Sequence, residues 1–207
     1  MITTLFGFKQ DQTRVFAEDG TQVFVTNISI TPCIVTRVIH TDGNQRYQLG
    51  IGHAKKLKKP EQGQLKKAGI EKNPRFFREV EANEGEEPLK VGTEVKPGDV
   101  FAIGDTIIVT GVSKGKGFAS AIRRYHFAGG PKTHGQGDHW RAPGSIGSGT
   151  TPGRVYKGKK MAGRLGGDTV TVKGLKIIAI DNEKHVVSVS GAVPGAKNGL
   201  VRLTKQG

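Results

Sequence analysis

The chain has 207 residues, enough for one medium domain or one domain with an appendage, and its 52 Val, Ile, Leu and Phe make about 25% of it, above the roughly 20% below which a highly charged chain stays unfolded. Thirty-one Gly without a Gly-X-Y period exclude collagen, no run approaches the ~20 apolar residues that span a bilayer, and the single cysteine, Cys33, excludes an intrachain disulfide and any Cys-based zinc site. Thirty-two Lys+Arg against 18 Asp+Glu give +14, which points to a nucleic acid; an anionic membrane would call for a long basic amphipathic helix, and none is legible.

The elements follow in chain order. Residues 1–6 have neither a basic flank nor a long apolar run, so they do not read as a signal peptide. Val and Ile together number 34 against nine Leu, and β-branched residues fit pleated surfaces, so strands are expected to dominate. Residues 21–30 predict a strand entered through Asp19-Gly20, and residues 33–39 a second, with Cys33 as a small buried strand residue. Asp42-Gly43-Asn44 predicts a turn into residues 47–51, whose apolar side chains alternate. Residues 53–78 hold nine Lys+Arg and two Glu, with Lys55-Lys56-Leu57-Lys58-Lys59 as a weaker phosphate anchor and a short helix over 64–68 ended by Gly69. Residues 79–99 carry seven acids and two Lys, read as solvated surface. Residues 100–112 predict a strand pair broken at Gly104-Asp105. Beyond residue 164, strands are expected over 169–173, 175–180 and 186–189, the last two joined by a turn at Asp181-Asn182. Short strands at this spacing predict a closed antiparallel barrel built from both sides of the segment they flank.

That segment, residues 114–164, is of another kind. It holds eleven Lys+Arg and one acid, Asp138, or +10 of the total +14, together with twelve Gly and only five of the 52 large apolar residues. Such a stretch buries too little surface to offset its chain entropy, so it is expected to leave the domain and order on a polyanion. If it runs out and back, each limb of about 25 residues reaches at most about 80 Å.

Enzyme signals fail on inspection. Gly153 to Lys160 has the spacing of a phosphate-binding Walker loop, but Lys160 stands where Ser or Thr must hold magnesium. Gly115-Lys116-Gly117 begins like a dinucleotide fingerprint, yet Ser120 occupies the third glycine position. His134 and His139 are five apart in a Gly- and Pro-rich stretch, which gives no shared helical face for a metal. No nucleophile triad is legible either.

Three features favour RNA over duplex DNA. No recognition helix is followed by a dimer element. Cations alternate with isolated planar side chains, namely Tyr125, His126, Phe127, His134, His139, Trp140 and Tyr156, which stack on unpaired bases. Glycines admit close backbone approach to phosphates. Residues 121–125 are expected to end a short helix that carries Arg123 and Arg124. Phe118, Ile122 and Tyr125 are expected to pack at its base, Trp140 to be exposed or to pack on RNA, and residues 154–160 to be extended. If roughly eight cations meet phosphates, log affinity falls with log salt at a slope of about −6 to −7.

The runs Gly144-Ser145-Ile146-Gly147 and Thr151-Pro152-Gly153-Arg154-Val155-Tyr156-Lys157-Gly158-Lys159-Lys160-Met161-Ala162-Gly163 resemble the signature of the bacterial-type L-three family of large-subunit ribosomal proteins. Ser113 to Ala119 and Arg141-Ala142-Pro143 match the same pattern, and Gly191-Ala192-Val193-Pro194-Gly195 resembles the family's final hairpin, so the similarity covers essentially the whole chain. The family usually has Gly-Met before Thr near its N-terminus, where this chain has Asp11-Gln12-Thr13.

The resemblance implies a translation-factor-like β-barrel and a long loop threading ribosomal RNA toward the peptidyl transferase region. It also implies early binding in subunit assembly and no catalytic residue. Some bacterial members carry a methylated glutamine where this chain has Thr150, so that modification is excluded here.

The expected architecture is therefore mainly β. A discontinuous barrel domain comprises residues 1–52, 98–113 and 165–207, with a charged insertion carrying a short helix at 53–97 and an RNA-threading extension at 114–164. The expected RNA contacts are Lys114, Lys116, Arg123, Arg124, Lys132, His134, His139, Trp140, Arg141, Ser145, Arg154, Lys157, Lys159, Lys160 and Arg164, with the loop tip at Ser148, Gly149, Thr150 and Thr151. The expected partners are 23S-type large-subunit ribosomal RNA and neighbouring ribosomal proteins, with no metal, cofactor, membrane or small-molecule substrate. A cytoplasmic ribosome is the expected location, and the absence of a transit peptide fits equally an organelle-encoded chain or a processed import product. The rival readings are a free RNA chaperone and an RNA-modifying enzyme with a basic substrate clamp.

Overall fold

The structure, a computed structural model, describes residues 2–16, 20–41, 44–82 and 88–206. In chain order its elements are β1 (Thr4–Phe16), β2 (Gln22–Ser29), β3 (Cys33–Thr41), β4 (Asn44–Ile51), α1 (Lys59–Lys67), β5 (Phe76–Glu81), β6 (Glu94–Val95), α2 (Pro97–Val100), β7 (Thr106–Val112), β8 (Phe118–Ala119), α3 (Ala121–Tyr125), β9 (Gly163–Arg164), β10 (Thr169–Asp181), β11 (Val186–Ser190) and β12 (Leu200–Lys205). Two compact units divide them: residues 1–112 with 169–207, and residues 113–168.

In the first unit six strands pair in the order β1-β12-β7-β10-β11-β2, and β2 pairs back onto β1, closing a barrel. All these pairings are antiparallel, and closure leaves none of the six with a free edge. The alternation of a half-buried strand sorts the side chains. Ile107 and Val109 of β7, Val187 and Val189 of β11, and Val201 and Leu203 of β12 are buried, while the residues between them are partly or fully exposed. At Gly7 of β1 an added Cβ would stand 2.7 Å from Ile28 Cγ2, so glycine there lets two strands approach closely. Gly174, at φ +75, sits where the β10–β7 register shifts between Val172 and Leu175. It turns two expected strands into one long bulged strand.

The second sheet has the order β5-β4-β3-β6. Its Cys33, Val35, Tyr47, Leu49, Ile51, Val80 and Val95 join the barrel residues in one apolar core. β3 and β4, expected in the barrel, belong instead to this sheet, because β5 and β6 from the charged insertion supply their partners. α1 begins with Pro60 in its first turn, while the Glu61 carboxylate accepts a hydrogen bond from the Lys58 N–H at 3.0 Å. Leu65 is buried, Gln64 hydrogen-bonds Gln48, and Gly69 at φ +66 follows the last turn.

Of the pair expected over 100–112, only β7 is a strand. Lys96 to Phe101 forms the α2 turn, with the Phe101 N–H donating to the Pro97 carbonyl. The Asp42-Gly43 turn and the Asp19 part of the entrance to β2 lie outside the described residues, as do residues 83–87 of the acidic block.

Candidate nucleic-acid interface

In the second unit the two chain limbs are tied to each other by backbone hydrogen bonds. The Ser113 N–H donates to the Asp168 carbonyl at 2.9 Å, the Lys116 N–H to Leu165 at 2.9 Å, and the Leu165 N–H to Gly117 at 2.9 Å. β8 and β9 continue the ladder, with Phe118 opposite Arg164 and Ala119 opposite Gly163. Gly166 lies at φ +74 with the Lys114 carbonyl where a Cβ would be, a close approach only glycine permits. Beyond the ladder, α3 follows Ser120 and ends at His126 in the left-handed region, φ 60.

Arginine side chains hold the returning segments. The Arg124 guanidinium donates to the Met161 carbonyl at 3.1 Å and lies 5.0 Å from the centre of the Tyr125 ring. Lys160 approaches the same ring at 5.8 Å. Arg141 donates to Ser120 Oγ at 3.0 Å, which ties it to the start of α3. The Gly130 N–H donates to the Trp140 carbonyl at 3.3 Å. Near it, Phe127, Gly130, Gln136, His139 and Pro143 line a cleft of about 490 Å³. Arg154 lies 5.9 Å from the Tyr156 ring. Around the expected tip, Ser145 Oγ donates to the Gly147 carbonyl at 3.0 Å, and the Gly153 N–H donates to Gly149 at 3.3 Å.

The second unit has almost no core. Only Ala119 and Ala121 are buried in it. Of its eleven cations, Arg124 is half-buried and the other ten are exposed. Among the described residues none of the eleven is in an ion pair; the pairs found, such as Lys205 with Asp105 at 2.8 Å, lie in the first unit. Cations without carboxylate partners, spaced by glycines and exposed rings, present positive charge outward.

The sequence-predicted residues are thus distributed as follows. Arg124, Lys160 and Tyr125 come together, as do Arg141 and Ser120. Lys114, Lys116 and Arg164 are exposed on the two paired limbs of the ladder, while Arg123, Lys132, His134, Lys157 and Lys159 are exposed on other stretches, and so are His139, Arg154, Ser145, Ser148, Gly149, Thr150 and Thr151. Trp140 is 48% exposed. Phe118, expected to pack with Ile122 and Tyr125, is 81% exposed, because it lies in β8 before the helix rather than on the helix face. Residues 154–160 are not an extended strand but include a turn, with the Lys159 N–H donating to the Tyr156 carbonyl at 3.4 Å.

A second basic feature lies in the first unit. His53, Lys55, Lys56, Lys58, Glu61 and Arg75 line a cleft of about 470 Å³. Arg75 joins it through backbone bonds, its own N–H to the Ile51 carbonyl and the Ala54 N–H to Asn73. Sequence reading missed Arg75, since it stands apart from the lysine run and nothing local marks it.

Among the described residues no three of His, Cys, Asp and Glu gather as a metal site, and no helix is long and apolar enough to cross a membrane.

The family model described as Ribosomal protein L3 matches residues 85–188. The chain is 50% identical over 209 residues to large ribosomal subunit protein uL3 of Herpetosiphon aurantiacus, covering 99% of this chain and 97% of that protein. Against the proteins of the same name from Dehalococcoides mccartyi and Leptospira biflexa the identities are 44% and 45%, each over the full length of both chains.

Proposed function

Because this chain belongs to the ribosomal protein L3 family, we propose that it is a structural constituent of the large ribosomal subunit and that residues 114–164 are the arm by which it holds ribosomal RNA. The observation that carries the arm is its set of eleven cations, none in an ion pair among the described residues, on a unit whose only buried residues are two alanines. A surface of that kind is stabilised by polyanion contacts rather than by a core of its own.

In this reading Lys114, Lys116, Arg123, Lys132, Arg154, Lys157, Lys159, Lys160 and Arg164 meet phosphates, while Arg124 and Arg141 also hold the segment together. Trp140, His134 and His139 pack on bases. Ser145 and residues 148–151 form the tip, which reaches toward the peptidyl transferase region. The barrel is of the translation-factor-like kind and meets neighbouring ribosomal proteins. The protein works in the ribosome of the cytoplasm, enters early in subunit assembly, and catalyses nothing itself. The family gives no support to a free chaperone or an RNA-modifying enzyme.

The test is sedimentation of tagged protein from lysate in low salt and then in about molar salt, where exposed phosphate contacts weaken steeply. Retention with the large subunit after the wash is expected. Release to the top of the gradient would overturn the embedded arm.

A further inference from the structure

The cleft formed by residues 53–58 with Arg75 is built differently from the arm. Lys55, Lys56, Lys58 and Arg75 bring four cations to one concavity, and Glu61 is the only carboxylate among the residues that line it. That carboxylate is occupied by the Lys58 N–H, and among the described residues none of the four cations is in an ion pair. The cleft is anchored on both sides. The Arg75 N–H bonds to Ile51 and the Ala54 N–H to Asn73, and the Arg75 guanidinium lies 5.1 Å from the Phe76 ring centre. Charge is therefore held in place in the first unit, close to a sheet whose side chains join the core.

We infer that this cleft is a second RNA site, independent of the arm, which clamps the phosphate backbone and reads no bases. Two features carry this. Four cations from two segments, Lys55, Lys56 and Lys58 on one and Arg75 on the other, line the cleft, more charge than one phosphate group matches, which favours a polynucleotide. The side chains lining the cleft also include one small ring, His53, and no Phe, Tyr or Trp, so it offers an unpaired base less stacking surface than the arm with its exposed Trp140 and Tyr156. Contacts of this kind position the protein and add salt dependence but carry no sequence information.

The test uses the full chain and three variants. The cleft variant carries Lys55→Ala, Lys56→Ala, Lys58→Ala and Arg75→Ala. A charge-matched control carries Lys173→Ala, Lys176→Ala, Lys197→Ala and Arg202→Ala, all exposed positions of the same unit. The third is an arm variant with Lys157→Ala and Lys159→Ala. Affinities for protein-free large-subunit ribosomal RNA and for an unrelated RNA duplex are measured against salt, with circular dichroism confirming that each variant is folded.

If about three cleft cations meet phosphates, the cleft variant loses about 2 to 3 from the salt slope and binds about 100- to 500-fold more weakly at 0.1 M salt. The loss is the same on both RNAs, and the control changes far less. Equal losses in cleft and control variants would overturn the site by making it generic charge. A loss confined to ribosomal RNA would overturn the backbone-only reading. An unchanged cleft variant beside a weakened arm variant would overturn the cleft alone and leave the arm standing; the converse pattern would remove the arm and keep the cleft.

Discussion

Replacing Lys114, Lys116, Lys157 and Lys159 together by alanine isolates the electrostatic role of the arm from its folding. These four ammonium groups are exposed, and among the described residues none is in an ion pair. The neck bond from the Lys116 N–H to Leu165 belongs to the backbone and survives the change. Surface substitutions of this kind stay within about 0.5 kcal/mol each, so the melting curve should scarcely move. Binding should respond strongly. At 0.7 to 0.9 per phosphate contact, four lost contacts make the slope of log affinity against log salt about 3 less steep. At about 0.1 M salt the same change is close to 1,000-fold in affinity. Fluorescence anisotropy of labelled ribosomal RNA, titrated with full-length protein from about 0.05 to 0.5 M salt, reads both quantities. A slope altered by less than about 1 would refute the idea that these cations meet phosphates. A collapsed melting curve would refute the claim that they are free of internal duties.

Other perturbations test other parts of the molecule. Gly166→Ala places a Cβ onto the Lys114 carbonyl at a positive φ, a conformation costing about 1–2 kcal/mol before the clash is counted, so the Lys116 and Leu165 amides should exchange with solvent faster. Gly115→Ala, with open space around it, should leave them unchanged; equal exchange in both variants would show that the neck is not closed as described. Burial pushes the Cys33 thiol up from 9.0 to about 11, so between those values the folded chain keeps a proton that the unfolded chain releases. Stability should therefore fall as pH rises from about 9 to about 11, by about 3 kcal/mol from this group. In chemical denaturation Cys33→Ala should escape that part of the loss, and parallel curves for the two proteins would refute it. The Lys205 ammonium, and then the Ala102 N–H, hold the Asp105 carboxyl below the usual carboxylate range. The stability this contributes is present above the unfolded pKa and is lost as pH falls through the folded one. Lys205→Ala should raise the Asp105 titration seen by NMR, and an unmoved titration would count against the pairing.

Much of the arm was legible from local chemistry. Eleven cations, twelve glycines and five large apolar residues in 51 positions exclude a packed core, and the structure buries only Ala119 and Ala121 there. Residues 121–125, expected to end a short helix, are the whole of α3, since Phe118 and Ala119 belong to β8, and Cys33 is a buried strand residue as its type and neighbours implied. Phe118 was misread for a local reason. Its spacing to Ile122 and Tyr125 mimics a helix face, but pairing with Arg164 draws it into β8 instead. β5 and β12 escaped notice because Phe76 to Glu81 and Leu200 to Lys205 mix apolar and charged residues over six positions, too few to fix a period by themselves.

The sequence by itself determined the class of partner, the predominance of strands and the position of the basic segment, because charge, β-branching and glycine content act within a few residues of where they stand. Only the tertiary structure decided which strands share a sheet. Thr4 pairs with Thr204, and Ile51 with Phe76, and each choice depends on burying one face of two distant segments together. The same long-range pairing brings Arg75 to the lysines of residues 55–58, a juxtaposition that composition cannot announce because it exists only once the backbones of residues 51–54 and 73–75 are joined.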